Sequence, residues 1–286
     1  MSDSFLAVAQ RRAADASSSF ADAPALIAWF GVGNTKQQSI AALEPLLSSA
    51  RAAGLVDHSV LFLAHEYPCN TWAEYVDALV KEIDAAWPNR PLFLVGFSAG
   101  SLAAYSVAVR LGARVRKVCV CAIRPAFNVS ADAPPHGDSA FGVSSPEAFR
   151  ALADEKVFEG MANAWVPNLK RFVALKKPYT EMPSALRSMV EHFRQLMGLP
   201  FYPAWTSTVS LAYGTNPGPK MVAPLLVLAA TSEEPHAEVP ARMGGWRQLT
   251  AASCELHAID GVDHMGLLAQ RDGEAVQLIV KWLVQS

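Results

Sequence analysis

A chain of 286 residues, 51% of them apolar and 17% charged, is long enough to bury a substantial core in one large α/β domain or two small ones. Its formal net charge of −2 speaks against a nucleic-acid footprint or a polybasic membrane anchor, so small molecules and proteins are the expected partners. No stretch is long and apolar enough to read as a membrane span. The cysteines, Cys69, Cys119, Cys121 and Cys254, show neither metal-ligand nor disulfide-scaffold spacing, which predicts reduced thiols in a cytoplasmic protein.

Residues 1–24 carry only a short apolar run, Phe5 to Ala9, too short for a secretory signal. Serine, alanine and the Arg11-Arg12 pair leave an organelle transit peptide open, although Asp3, Asp15 and Asp22 depart from its acid-poor composition. A short helical or disordered extension is the expectation. From Ala25 the pattern turns regular, with apolar runs at Ala25 to Phe30, Val60 to Ala64, Leu92 to Val95, Val118 to Ala122, Leu225 to Ala230 and Glu255 to Ile259. Strands apolar throughout, alternating with segments of helical period, predict a mostly parallel sheet covered by helices on both faces, within one domain from residue 25 to 286. Ile40, Leu43, Leu46 and Leu47 mark one helical face, Trp72, Tyr75, Val76, Leu79 and Ile83 a second, and Val276, Ile279, Val280 and Leu283 a closing one. Cys119 and Cys121, two apart on the fourth strand, should face the same side.

The rhythm breaks between Arg124 and Pro224, far longer than an ordinary connection. A Pro/Gly/Ser-rich loop opens this insertion, about 125–223, and helical patterns follow around Pro146 to Gly160, Asn168 to Lys177 and Pro183 to Gly198. Its later part is aromatic: Phe193, Phe201, Tyr202, Trp205 and Tyr213. An insertion after the fourth strand would sit over the carboxyl ends of the strands, as a helical lid on the ligand site. Any one of these aromatics, or Met182, Met189 and Met197, reads first as a member of the insertion's own small core.

The stretch with the strongest chemical signature is Pro91 to Leu111, where an apolar strand ends in Gly96-Phe97-Ser98-Ala99-Gly100 and passes at once into a helix. A serine held in a strained turn between strand and helix needs neighbours without side chains two positions either side, which Gly96 and Gly100 supply. Such a turn presents the Ser98 hydroxyl above the sheet, with the Ala99 N–H aimed at developing negative charge. Serine needs a base. His264 lies in a loop after the last strand, at the sheet edge where Ser98 should emerge, whereas His257 within the strand and His58 before one read as packing or surface residues. The orienting acid should come from the loop after the fifth strand, as Glu233 or Glu234, while Asp260 and Asp263 read as turn-shaping residues. A second oxyanion donor belongs to the loop after the first strand, as Val32 or Gly33.

From Ala25 onward the chain resembles the discrete type II thioesterases of polyketide and nonribosomal peptide synthases, within the α/β-hydrolase fold. The resemblance is carried by Arg90-Pro91 through GFSAGSLAAYSVAVRL, the strand exit CAIRPA, Gly245-Trp246-Arg247 before Thr250, and IDGVDHMGLL. It implies Ser98 as nucleophile, His264 as base, Glu233 as acid with Glu234 as alternate, Val32 and Ala99 as oxyanion donors, and no metal or other cofactor. It further implies acyl thioesters as substrates, carried on the phosphopantetheine arm of an acyl carrier protein as partner. The chain departs from that family's pattern at Phe97, where His is common, at Phe30 to Asn34, where Pro-His-Ala-Gly-Gly is usual, and in its glutamate, where Asp is usual. Two other readings compete: a carboxylesterase or lipase acting on oxygen esters, and a non-catalytic binding protein on the same fold.

Overall fold

The computed structural model describes residues 23–31, 36–55, 58–61, 69–123, 143, 146–164, 170–174, 178–197, 219–232, 237–269 and 272–285. Six strands, β1 (Ala25–Trp29), β2 (His58–Leu61), β3 (Leu92–Phe97), β4 (Val115–Cys121), β5 (Leu225–Ala230) and β6 (Cys254–Ile259), form one sheet in the order β2-β1-β3-β4-β5-β6. Every neighbouring pair is parallel. The six apolar runs of the sequence are these six strands. β2 begins two residues before its expected start, β3 continues to Phe97, and β4 starts three residues early at Val115.

Alternate side chains of each strand feed different layers, as the period of two dictates. Ile27, Trp29, Leu94, Val118, Val120 and Val227 pack with Leu79, Ile83, Leu102 and Ala103 of α2 (Trp72–Ala86) and α3 (Ala99–Leu111). Leu26, Ala28, Val95, Cys119, Cys121 and Leu228 face the opposite way, onto Leu43, Leu46, Val276 and Ile279 of α1 (Lys36–Ala52) and the last helix, Glu274–Val284. Helices therefore cover both faces. α2 begins where Thr71 Oγ1 accepts from the Glu74 N–H (3.2 Å), a side-chain cap on an otherwise orphaned donor. Cys119 and Cys121 share a face as expected, with sulfurs 3.6 Å apart, and all four cysteines are free thiols. Burial pushes the Cys119 thiol well above its ordinary range, with Cys121 adding to the effect.

Between β4 and β5 the described residues hold four α-helices, α4 (Pro146–Arg150), α5 (Asp154–Ala164), α6 (Lys170–Ala174) and α7 (Ser184–Met197), and no strand. Phe149, Val157, Phe158, Met161, Met182, Val190 and Phe193 are buried, and they continue the apolar cluster on the α2–α3 face. Phe193 and Met182 are thus core residues; Phe201, Tyr202, Trp205 and Tyr213 lie outside the described residues. Among the described residues no helix is long and apolar enough to cross a membrane.

The end of the insertion is tied to α3 by Tyr105, whose hydroxyl donates to the Pro219 carbonyl (2.7 Å) and whose burial pushes its pKa up to about 12. The unfolded chain loses that proton near pH 10, so the contribution is complete below pH 10 and is lost as pH rises toward 12. Tyr105→Phe should therefore cost about 1 kcal/mol at neutral pH, and its deficit against the parent protein should narrow above pH 10. Denaturant melts at pH 8 and pH 10.5 measure this. A deficit that stays constant across that range would contradict it.

Candidate active site

The site is built at the carboxyl ends of β1, β3 and β4. Ser98 follows β3 directly and has φ 53° and ψ −133°, a conformation that glycine enters freely and other residues at a cost of about 1–3 kcal/mol. The strain is held by the surroundings. The Ser98 N–H donates to the Cys121 carbonyl (2.8 Å) and the Ser101 N–H donates to the Ser98 carbonyl (2.8 Å), so both sides of the turn are anchored. The glycines have the steric role that their spacing predicts. A Cβ on Gly96 would lie 2.4 Å from the Gly100 carbonyl oxygen, and one on Gly100 would lie 2.6 Å from the Trp29 carbonyl oxygen.

Ala99 is the first residue of α3, so its N–H has no intrahelical acceptor and lies at the positive end of the helix dipole. Across from it, Gly31 brings the loop after β1 onto Ser98: a Cβ there would stand 3.0 Å from Ser98 Cβ and 3.3 Å from Ser98 Oγ. Val32 and Gly33 lie outside the described residues, and so do Glu233 and Glu234.

His264 sits half-buried in the loop after β6, and its imidazole centroid is 4.9 Å from the Phe97 ring, the side chain immediately before Ser98. Asp263 shapes this loop as its position suggests, accepting from the Gly266 N–H at 2.7 Å. The exit of β5 is bound to the same loop. The Thr231 N–H donates to the Ile259 carbonyl (3.1 Å), the Ser232 N–H to the Val262 carbonyl (3.2 Å), and the Gly261 N–H to Thr231 Oγ1 (3.1 Å). The exit of β5 is thus stitched, at Ser232, to the backbone two residues before His264. Beside these two loops opens a cleft of about 490 Å³, bordered by Ser232, Asp260, Val262, Asp263 and Leu267. His257, by contrast, stands on edge strand β6 with Nε2 3.6 Å from Glu255 Oε2.

Ser101 makes a bridge that the sequence pattern does not reveal. Its fully buried hydroxyl donates to the Gly96 carbonyl (2.8 Å) and accepts from the Cys121 N–H (3.1 Å), joining the ends of β3 and β4 beneath Ser98. A serine in the first turn of a helix usually looks outward, and only the register that pairs Phe97 with Cys121 turns this one into a strand-end bridge. Trp246 has a comparable role in the Gly245-Trp246-Arg247 stretch: buried, it donates from Nε1 to the Ile123 carbonyl (2.9 Å) and steadies the exit of β4.

Comparison with known proteins places this parallel sheet and its helices in a family. The model of the Alpha/beta hydrolase family matches residues 17–277. The chain belongs to that family. No curated protein sequence matches it. Among solved structures, this alpha/beta hydrolase is similar to RedJ, a thioesterase from the prodiginine biosynthetic pathway in Streptomyces coelicolor, with TM-score 0.59, 16% identity, and coverage of 92% of this chain and 86% of that one. It is also similar to epoxide hydrolase A from Mycobacterium thermoresistibile (TM-score 0.53, 14% identity, 91% of each chain). A third is ClbQ from the colibactin NRPS/PKS pathway (TM-score 0.51, 12% identity, 91% of this chain and 94% of that one). At identities this low the likeness shows a shared fold and nothing finer.

Proposed function

We propose that this alpha/beta hydrolase is a serine thioesterase. Ser98 attacks an acyl thioester while His264 takes its proton, the oxyanion is held by the N–H groups of Ala99 and Val32, and the thiol departs. Water activated by His264 then frees the acid from Ser98. The observation that carries the reading is the strained Ser98 backbone, φ 53° and ψ −133°, with the His264 imidazole beside the preceding ring. A serine also argues against the epoxide-opening chemistry named for one structural neighbour. Attack of its hydroxyl on an epoxide would leave an ether that water does not hydrolyse, whereas an acyl-serine ester turns over.

The leaving group sets the demand on the machinery. A thiol with a pKa near 8.5 leaves more easily than an alkoxide, so a triad completed by the longer glutamate in place of aspartate suffices. Glu233 is assigned as the acid, with Glu234 as alternate, because the Ser232–Val262 bond leads the chain to the His264 loop. The segment about 125–223 is assigned as a helical lid over one domain running from residue 25 to 286, with residues 1–24 as an extension. The proposed substrate is an acyl group on the phosphopantetheine arm of an acyl carrier protein, met in the cytoplasm, with no metal or other cofactor taking part.

Paired thioester and oxygen-ester substrates of equal chain length test the reaction class, and a higher kcat/KM on the thioester is the expected result. Dominant oxygen-ester turnover would move the protein to the carboxylesterases, and failure of a serine-reactive phosphonate to label it would favour a binding role. For the acid, one of Glu233→Gln and Glu234→Gln should lower kcat by about 100-fold or more. Full activity in both would place the acid elsewhere.

A further inference from the structure

Three aromatic rings, distant in sequence, touch in series at the site, one pair stacked and the other edge to face. Phe30 lies on Phe97 with ring centroids 4.6 Å apart and planes 12° from parallel, and Phe97 meets His264 at 4.9 Å with planes inclined by 61°. Phe30 and Phe97 are almost fully buried, at 4% and 1% exposure, so this end of the column is packed on all sides. Each ring is joined to a different working part. Phe30 precedes Gly31, which leans on Ser98; Phe97 precedes Ser98 itself; and His264 comes from the loop closed by Asp263.

An imidazole on a loop turns about two side-chain torsions, and the plane it settles in decides where Nε2 points. A tilted contact against a fixed ring selects that plane. The geometry points to Phe97 as a positioning residue for the base, with Phe30 transmitting the placement of the loop after β1 to the same ring. This deepens the reading of Ser98 and His264 as nucleophile and base, and rests on it. The apolar ring of Phe97 bears on His264 from one side and on Phe30 from the other.

The test compares Phe97→Leu, Phe30→Leu, the double variant and Phe97→Tyr with the full-length parent protein. It records kcat and KM on a short acyl thioester and the phosphonate labelling rate, all well below each variant's melting temperature. Phe97→Leu should lower kcat and labelling by about 10-fold with KM little changed, because a misdirected base slows chemistry rather than binding. Phe97→Tyr, which keeps the ring, should recover most of that loss. The double variant should be little slower than Phe97→Leu alone, since Phe30 acts through Phe97. Should Phe97→Leu prove too unstable, Phe30→Leu reads the same column from its far end, and an unchanged kcat there overturns the proposal. Lower melting temperatures with kcat within twofold of the parent would likewise reduce the column to packing. A parent protein that neither turns over nor labels would instead remove the functional reading, and this inference with it.

Discussion

Replacing Ser98 with alanine is expected to leave the fold intact and to lower acyl-thioester turnover by about four orders of magnitude, the scale on which triads fail when a member that acts with the others is removed. Alanine keeps the Cβ, so it also keeps the backbone strain at φ 53° and ψ −133°. Glycine does not. Ser98→Gly should be equally inactive yet more stable than the parent by about 1 kcal/mol, the relief of a conformation worth about 1–3 kcal/mol set against the greater freedom of glycine in the unfolded chain. A rise in melting temperature of about 2 °C would accompany it in a domain of this size. Activity assays and thermal melts on the two variants thus separate chemistry from strain. Retained turnover in Ser98→Ala would place the nucleophile elsewhere, and a Ser98→Gly no more stable than Ser98→Ala would mean that the strain in the turn does not exceed the entropic cost of glycine.

The second large effect is expected at the glycines, where two identical substitutions should fail differently. In Gly96→Ala the new methyl would sit 2.4 Å from the Gly100 carbonyl oxygen, 2.4 Å from Ser101 Cα and 2.5 Å from the Ser101 nitrogen, all of them backbone. None of these atoms can swing aside, so β3 and α3 have to separate. The fold should lose about 4 kcal/mol or more, or not form at all. In Gly31→Ala the neighbours are Ser98 Cβ at 3.0 Å and Oγ at 3.3 Å, contacts that a shift of a few tenths of an ångström between Gly31 and Ser98 relieves. That variant should fold with nearly the parent melting temperature and lose about 10- to 100-fold in kcat through a displaced nucleophile. Circular-dichroism melts alongside single-turnover assays distinguish the two. A Gly96→Ala protein that melts like the parent would contradict the close packing of the turn.

Much of this was legible in the residues before any coordinates. The six runs read as strands, several of them apolar throughout because a strand covered on both faces has no polar side to show, and β1, β3 and β5 are buried throughout. The strand starts missed by a few residues, at His58 and Val115, are those whose polar ends, His58-Ser59 and Arg116-Lys117, break the apolar run. Lys117 is a strand residue all the same, its ammonium donating to the Trp282 carbonyl (2.6 Å) at the end of the closing helix. Spacing marks Ser98 together with the apolar strand before it and the helical pattern after it, because the need for glycine at 96 and 100 arises within five adjacent residues.

Local patterns of apolar residues and glycine thus determined the succession of strands and helices along the chain, the parallel α/β architecture and the strained serine, since each depends on residues close together in the chain. Only the tertiary structure decided that Ser101 would bridge Gly96 and Cys121, that the β5 exit would be stitched to the His264 loop, and that Phe30, Phe97 and His264 would share one column. Those contacts depend on which strands lie side by side and in what register, and a run of apolar residues carries the same signal whichever neighbour it finally meets.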